Sequence, residues 1–165
     1  MDTILDYLQR LRDHAVEYVV VGGVAAILHG SSHVTEDLDI CAPLDEQNLR
    51  RILDALRDLH PRFRMHPNHP PLFDDVQRLI GFRNLNLMTD WGILDILGEI
   101  TGIGSYEEVS RHTTDVQLGQ ITVRILDLPS LIRAKRETKR PKDLRAVPEL
   151  EFILRQSQSP KNTEG

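Results

Sequence analysis

Residues 19–39 read VVVGGVAAILHGSSHVTEDLD, and this stretch decides the fold. The valines predict a short buried strand over 17–21, because β-branched side chains pack well on a pleated surface. Two glycines end that strand, and residues 24–29 are expected to form a short helix that stops at Gly30. Polar and apolar residues alternate over 35–42, which predicts a second strand. The stretch is therefore a strand–helix–strand unit.

The flanking sequence continues this mixture of strands and helices. Apolar spacing predicts further helices over 3–15, 45–59, 129–138 and 141–155, and strands over 84–88, 93–97, 116–118 and 121–126. Ser105 and Glu108 have the spacing of a capping box, and residues 60–71, with four prolines, are predicted to be a loop. Pro148 is expected to kink or restart the last helix. The predicted class is α+β, a mixed β-sheet with helices packed on it and a short C-terminal helical segment.

Composition limits the class of protein. The chain has 165 residues, of which 40% are hydrophobic and 27% charged, and this is typical of one globular domain. We expect a single domain over 1–155 and a flexible tail over 156–165. No apolar run approaches the roughly 18 residues of a membrane span, and no basic leader precedes an apolar segment. A single cysteine, Cys41, favours a cytoplasmic protein.

The pair Asp37 and Asp39 is the strongest chemical signal. On a strand the two carboxylates face one way, with Cα atoms roughly 6.5–7 Å apart. Two such anions repel each other, and a divalent cation such as Mg²⁺ would compensate them. The alternative is a solvent-facing strand edge, on which alternating aspartates need no ligand.

Two further features lie in predicted strands and turns. Gly22 and Gly23 join a strand to a helix, where free backbone N–H groups favour a phosphate, although a tight turn alone would also explain them. Asp95 is one carboxylate inside the apolar strand 93–97, and its burial would be costly unless it were paired or bound to metal. Three carboxylates on neighbouring strands would fit metal-assisted phosphoryl transfer.

A basic segment stands out in an acidic chain. Residues 133–145 contain seven lysines and arginines against two acidic residues, whereas the whole chain has a formal net charge of −5. Such a segment indicates a local anion site rather than a general nucleic-acid surface. It could equally be the solvated face of two helices.

These residues together resemble a known family. The pattern from Gly22 to Asp39, followed by Asp95 and by the segment from Pro129 to Leu144, is similar to the nucleotidyltransferase superfamily with the polymerase-β-like fold. Within it the chain resembles the small prokaryotic branch related to AbiEii-type toxins. The resemblance covers about residues 16–150.

The resemblance implies an enzyme that moves a nucleoside monophosphate from a triphosphate to an acceptor hydroxyl. Asp37, Asp39 and Asp95 would be the catalytic and metal-binding residues, with Mg²⁺ or Mn²⁺ as cofactor. The nucleotide-binding residues would be Gly22, Gly23, Ser31, Ser32, His33, Lys135, Arg140, Lys142 and Asp143. The acceptor would be RNA such as tRNA, a protein, or a small molecule, and a cognate antitoxin would be a partner.

Two positions depart from the family pattern. Relatives often have arginine where this chain has His33, and an acidic residue where it has Ala146. These changes imply a weaker phosphate contact and an altered acceptor or reduced activity. The alternative function is a degenerate, non-catalytic module that binds a nucleotide or a partner.

Overall fold

The computed structural model describes residues 2–159, which form six α-helices, two short 3-10 helices (Arg57–Leu59 and Val76–Arg78) and nine strands. The helices are α1 (Asp2–Asp13), α2 (Gly22–Leu28), α3 (Glu46–Leu56), α4 (Tyr106–Val109), α5 (Leu128–Thr138) and α6 (Pro141–Gln158). The strands are β1 (Val19–Val21), β2 (Leu38–Cys41), β3 (Arg62–Phe63), β4 (Asn84–Thr89), β5 (Gly92–Leu97), β6 (Glu99–Ile100), β7 (Gly104–Ser105), β8 (Thr113–Leu118) and β9 (Ile121–Leu126).

Seven of the strands form one mixed sheet in the order β3-β4-β5-β2-β1-β9-β8. The β2–β5 and β1–β9 pairs are parallel and the other pairs are antiparallel. Strands β6 and β7 form a separate two-stranded ribbon. This arrangement confirms the predicted α+β class with a mixed sheet.

The central strands are buried because their side chains are almost all apolar. Val19, Leu38, Ile40, Leu94 and Ile96 are fully buried in the sheet. Helices α1 and α3 are amphipathic, and their apolar stripes join the same core through Leu8, Leu11, Leu49 and Ile52. Burial of this kind supplies most of the free energy that stabilises a small domain.

Several predicted boundaries differ in the structure. Strand β2 begins at Leu38, so residues 35–37 lie in the preceding loop. The predicted loop over 60–71 contains β3, which pairs with β4. The side chain of Ser105 makes no capping hydrogen bond to α4, so the predicted capping box does not form.

The C-terminal helices also differ in detail. Helix α6 continues through Pro148 without a restart and reaches Gln158, so part of the predicted tail, residues 156–158, is helical. The rest of that predicted tail, from residue 160 onward, lies outside the described residues. None of the helices between residues 2 and 159 has the length and apolarity required to cross a membrane.

Asn48 joins α3 to the chain that leads into β1. Its side chain is buried, accepts a hydrogen bond from the Glu17 N–H at 2.8 Å, and donates to the carbonyl oxygens of Glu17 (3.1 Å) and Pro43 (2.8 Å). These bonds satisfy backbone groups that would otherwise be unpaired at the edge of the core.

We expect Asn48→Ala to lower the free energy of unfolding by about 1–3 kcal/mol, because it leaves buried backbone groups without partners. Urea unfolding followed by circular dichroism measures the effect. Gln9→Ala, on the exposed face of α1, is the control and should change stability by less than about 0.5 kcal/mol. Equal effects of the two substitutions would show that the hydrogen bonds of Asn48 to Glu17 and Pro43 do not stabilise the fold.

Candidate active site

Asp39 and Asp95 lie side by side in the middle of the sheet. They are register partners on the parallel strands β2 and β5, so their side chains project from the same face. On either side of this pair, Asp39 is opposite Val21 on β1 and Asp95 is opposite Asn86 on β4. The sheet therefore brings together two carboxylates that are far apart in the sequence.

The backbone at the start of α2 lies against the Asp39 carboxylate. A Cβ atom at Gly22 would overlap Oδ2 of Asp39, and Gly22 also has a positive φ of 65°. At Gly23 a Cβ would come within 3.1 Å of the Thr35 Cγ2 atom. Glycine is therefore required at position 22, and position 23 has little room for a side chain, which makes the two glycines part of the wall of the site.

Burial and neighbouring charges act on Asp39. Burial, followed by the carboxylates of Asp95 and Asp37, raises the pKa of Asp39 to about 6, while Lys135 and Arg140 oppose this rise. Ionisation of Asp39 therefore costs more free energy than ionisation of an exposed carboxyl group, and an additional cation beside it would lower that cost.

Asp37 belongs to the loop before β2 rather than to the strand, and it is exposed. Its backbone N–H donates to the Thr35 hydroxyl at 3.2 Å, and this bond shapes the loop beside Gly23. The Asp37 carboxylate is near enough to Asp39 to raise its pKa, so the two residues are close together. The predicted alternation of the two residues along one strand is absent, because Asp37 precedes β2.

Arg64 is a residue of the site that the sequence reasoning missed. Its Nη2 atom donates to both carboxylate oxygens of Asp95, at 2.7 and 2.6 Å. Residues 60–71 were predicted to be a loop, and loop arginines carry no positional signal. The alternation of Arg62, buried Phe63 and Arg64 was the available sign of a strand that directs Arg64 to one face.

The basic segment is organised around Asp143. This carboxylate accepts hydrogen bonds from the Thr138 hydroxyl and the Arg140 Nε, both at 2.7 Å, and lies 3.6 Å from the Lys135 Nζ. Burial opposes ionisation of Asp143, but the two hydrogen bonds and the two positive charges outweigh it and lower the pKa. Asp143 therefore fixes the cations that act on Asp39.

The other predicted nucleotide-binding residues are more exposed. Ser32 donates from its backbone N–H and its hydroxyl to Glu149 of α6, at 3.0 and 2.5 Å. The Ser31 hydroxyl accepts a hydrogen bond from the His33 N–H at 3.1 Å, and the His33 side chain is exposed. Lys142 is exposed and makes no ion pair within residues 2–159. The loop after α2 is thus attached to α6.

The residues fit a divalent cation in part. Asp37 and Asp39 supply hard oxygen donors, and a cation beside Asp39 would offset the burial and the neighbouring carboxylates that raise its pKa. Asp95, however, has both oxygens occupied by Arg64. Among residues 2–159, no three His, Cys, Asp or Glu side chains are grouped closely enough to hold a metal ion as they stand.

A cavity of about 660 Å³ lies elsewhere in the described part of the chain. Residues of α1 and α3 line it together with Trp91, on whose ring the Arg10 guanidinium stacks at 4.6 Å. Its lining contains none of the predicted site residues and includes both acidic and basic groups. The volume of a cavity therefore does not locate the candidate active site in this protein.

Solved structures share this fold. LnuA, a lincosamide antibiotic adenylyltransferase with lincomycin bound, matches with a TM-score of 0.65 at 17% identity, over 92% of this chain and 96% of that chain. TM1012 from Thermotoga maritima, provisionally described as a nucleotidyltransferase, matches with a TM-score of 0.51 at 17% identity, over 93% and 89%. No protein-family model matches the chain, and no curated protein does. The chain therefore has the nucleotidyltransferase fold, as predicted, while the AbiEii-type branch stays a prediction.

Asp39→Asn tests the electrostatics of the site. Because the pKa of Asp39 is raised in the folded state, the wild type loses stability relative to the variant as the pH rises from about 4 to about 6. We expect the two proteins to be similar near pH 4, and the variant to be more stable by about 1–3 kcal/mol at pH 7. Thermal unfolding at both pH values measures this difference.

Glu36→Gln is the matched control, since it removes an exposed negative charge from the loop before β2, three residues from Asp39 in the sequence. It should reproduce little of the pH-dependent gain. A destabilised Asp39→Asn protein at pH 7 would contradict the account, because it would mean that Asp39 forms a favourable pair.

Proposed function

We propose that the protein is a metal-dependent nucleotidyltransferase that moves a nucleoside monophosphate from a nucleoside triphosphate to an acceptor hydroxyl and releases pyrophosphate. The observation that carries the proposal is the register of Asp39 with Asp95, with the Gly22 backbone against the Asp39 carboxylate. The structural likeness to LnuA supports the same class of reaction.

Asp37 and Asp39 are the residues that would hold Mg²⁺ or Mn²⁺. A divalent cation bound there would neutralise charge on the phosphates and favour attack by the acceptor oxygen. Asp95, which is opposite Asp39, would complete the site and accept the proton of the acceptor hydroxyl. Gly22 and Gly23 leave the backbone open for the approach of the triphosphate.

Lys135 and Arg140 would neutralise the triphosphate. Both already act on Asp39 through their charges, and Asp143 holds both in place. We therefore assign Asp143 to positioning these cations rather than to direct nucleotide contact. Lys142, exposed on α6, and Ser31, Ser32 and His33, in the loop after α2, would contribute at the edge of the site.

For the acceptor we favour a hydroxyl of a small molecule, such as an antibiotic. LnuA is an adenylyltransferase of lincosamide antibiotics, and the match extends over almost the whole of both chains. Aromatic residues make up only 5% of the sequence, which does not favour an extended surface for stacking single-stranded RNA. An RNA or protein acceptor, and a toxin role with a cognate antitoxin in a prokaryotic cytoplasm, are the other candidates.

One observation favours the non-catalytic alternative. Arg64 occupies Asp95, and a module that only binds a nucleotide would not need that carboxylate free. Incubation with each labelled nucleoside triphosphate, Mg²⁺ and either lincomycin or total RNA distinguishes the candidates by the species that becomes labelled. Nucleotide binding without transfer to any acceptor would favour the binding module.

Nucleoside triphosphate with Mg²⁺ should raise the melting temperature of the protein. A ligand that binds the native state at 100 times its Kd adds about 2.7 kcal/mol of stability. Differential scanning fluorimetry with each triphosphate, with Mg²⁺ or with EDTA, measures the shift. We expect the shift to be much smaller for wild type with EDTA and for Asp39→Asn with Mg²⁺ than for wild type with Mg²⁺. Equal shifts in these three measurements would contradict metal-dependent binding.

Lys135→Ala should weaken triphosphate binding and flatten its salt dependence, because it removes an ionic phosphate contact. Lys142→Ala should have a weaker effect in the same direction, since its side chain is exposed. Fluorescence titration with a labelled triphosphate between low and moderate salt measures both. Arg155→Ala, in the last turn of α6, is the control. Unchanged affinity in both lysine variants would mean that the basic segment 133–145 is only a solvated helix surface and does not bind the triphosphate.

A further inference from the structure

The backbone places Arg64 in the same row of the sheet as the two aspartates. The β3–β4 pairing continues beyond Phe63, because the Arg64 N–H donates to the Asn86 carbonyl at 2.9 Å. Asn86 is opposite Asp95, and Asp95 is opposite Asp39. Strand register therefore positions Arg64, and its side chain reaches across β4 to Asp95.

The contact between Arg64 and Asp95 is partly removed from solvent. The two side chains are 27% and 16% exposed, and one terminal nitrogen of Arg64 bonds both carboxylate oxygens. A charge pair of this kind is stronger than an exposed one, because water screens it less. Asp95 therefore has no oxygen that is free of Arg64.

The same guanidinium is incompletely satisfied. Its Nε atom is buried and has no hydrogen-bond partner, whereas a buried N–H is normally paired. Beyond Asp95, the head group has one weak contact, from its Nη1 atom to the Met65 sulfur at 3.4 Å. Departure from Asp95 would therefore break the two hydrogen bonds to that carboxylate and leave the other polar contacts of the site in place.

Other positive charges near the site are held in a different way. Lys135 and Arg140 make their ion pairs with Asp143, and they act on Asp39 only through the electrostatic field of their charges. Within residues 2–159, Arg64 is the cation that makes an ion pair with one of the three site aspartates. Its positive charge offsets the repulsion between the carboxylates of Asp95 and Asp39.

We propose that Arg64 is an internal counter-ion that competes with a divalent cation for Asp95, and this inference rests on the proposed metal-dependent function. With Arg64 in place, a cation has only Asp37 and Asp39 as protein ligands. A cation that also uses Asp95 must displace the guanidinium or share the carboxylate oxygens with it, against the repulsion of the Arg64 charge. Arg64 therefore weakens metal binding and keeps Asp95 from serving as a ligand or proton acceptor until the site is loaded.

Direct metal binding tests the competition. The free Mn²⁺ signal in electron paramagnetic resonance gives the Kd for Mn²⁺ of wild type and of Arg64→Gln, without any need for turnover. We expect Arg64→Gln to bind Mn²⁺ about tenfold more tightly, because a positive charge in contact with a ligand is removed. Arg62→Gln makes the same change of net charge at an exposed residue that only contacts a loop carbonyl, and it should stay close to wild type.

A double-mutant cycle with Asp95→Asn separates competition from general charge effects. The loss of affinity caused by Asp95→Asn should be small in the wild type and large in the Arg64→Gln background. Equal losses in both backgrounds, or an Arg64→Gln protein with unchanged or weaker Mn²⁺ affinity, would overturn the proposal.

Circular dichroism establishes first that the variants are folded. Where Arg64→Gln does not fold, Arg64→Met replaces it, and its Mn²⁺ affinity should also exceed that of wild type because the unbranched apolar side chain carries no positive charge. Unchanged Mn²⁺ affinity in Arg64→Met would then overturn the proposal. Wild type that binds Mn²⁺ as tightly as Arg64→Gln refutes the competition and leaves the proposed function standing. Absence of Mn²⁺ binding in every protein refutes both the competition and the metal-dependent function.

Discussion

Asp39 and Asp95 repel each other, and the sheet holds them together nonetheless. Parallel pairing of β2 with β5 puts their side chains on one face, and neither can move away without breaking the register of the central strands. Leu38, Ile40, Leu94 and Ile96 alternate with them and are fully buried on the same two strands. The hydrophobic core thus supplies the free energy that keeps two like charges in contact.

The surroundings of this pair are arranged to offset the repulsion. Arg64 approaches from the β3 side and binds Asp95, while Lys135 and Arg140 act on Asp39 from the C-terminal helices. Asp143 is essential to the second group, because it is the buried anion that fixes both cations. A charge balance of this kind is typical of functional sites, where polar groups are arranged for a ligand rather than for stability.

Close packing of the backbone completes the site. Gly22 and Gly23 allow α2 to start directly against Asp39 and Thr35, where a side chain would not fit. Ser32 connects the loop after α2 to Glu149 of α6. Elements from both ends of the chain therefore meet around one carboxylate pair, in a fold that the solved structures of LnuA and TM1012 share.

Much of the fold could be predicted from local pattern alone. Apolar periodicity predicted the β4–β5 and β8–β9 hairpins and the strand–glycine–helix unit around Gly22, because side-chain burial repeats with the period of each element. It also singled out Asp95 as a carboxylate in an apolar strand, and Asp39 as one of a pair with Asp37 on an alternating strand. The conformation of the loops could not be predicted in the same way. Residues 35–37 belong to an alternating pattern but do not pair with another strand, and the prolines of segment 60–71 predicted a loop where the short strand β3 forms.

Sequence by itself thus determined the fold class, the central strands and two of the carboxylates of the site. Tertiary structure alone decided which charges meet. The contact between Arg64 and Asp95 joins residues 31 positions apart, and the anchoring role of Asp143 depends on how α5 packs against α6. Periodicity reports which face of an element is buried, but strand register and helix packing set the partner across that face, and those depend on the whole core at once.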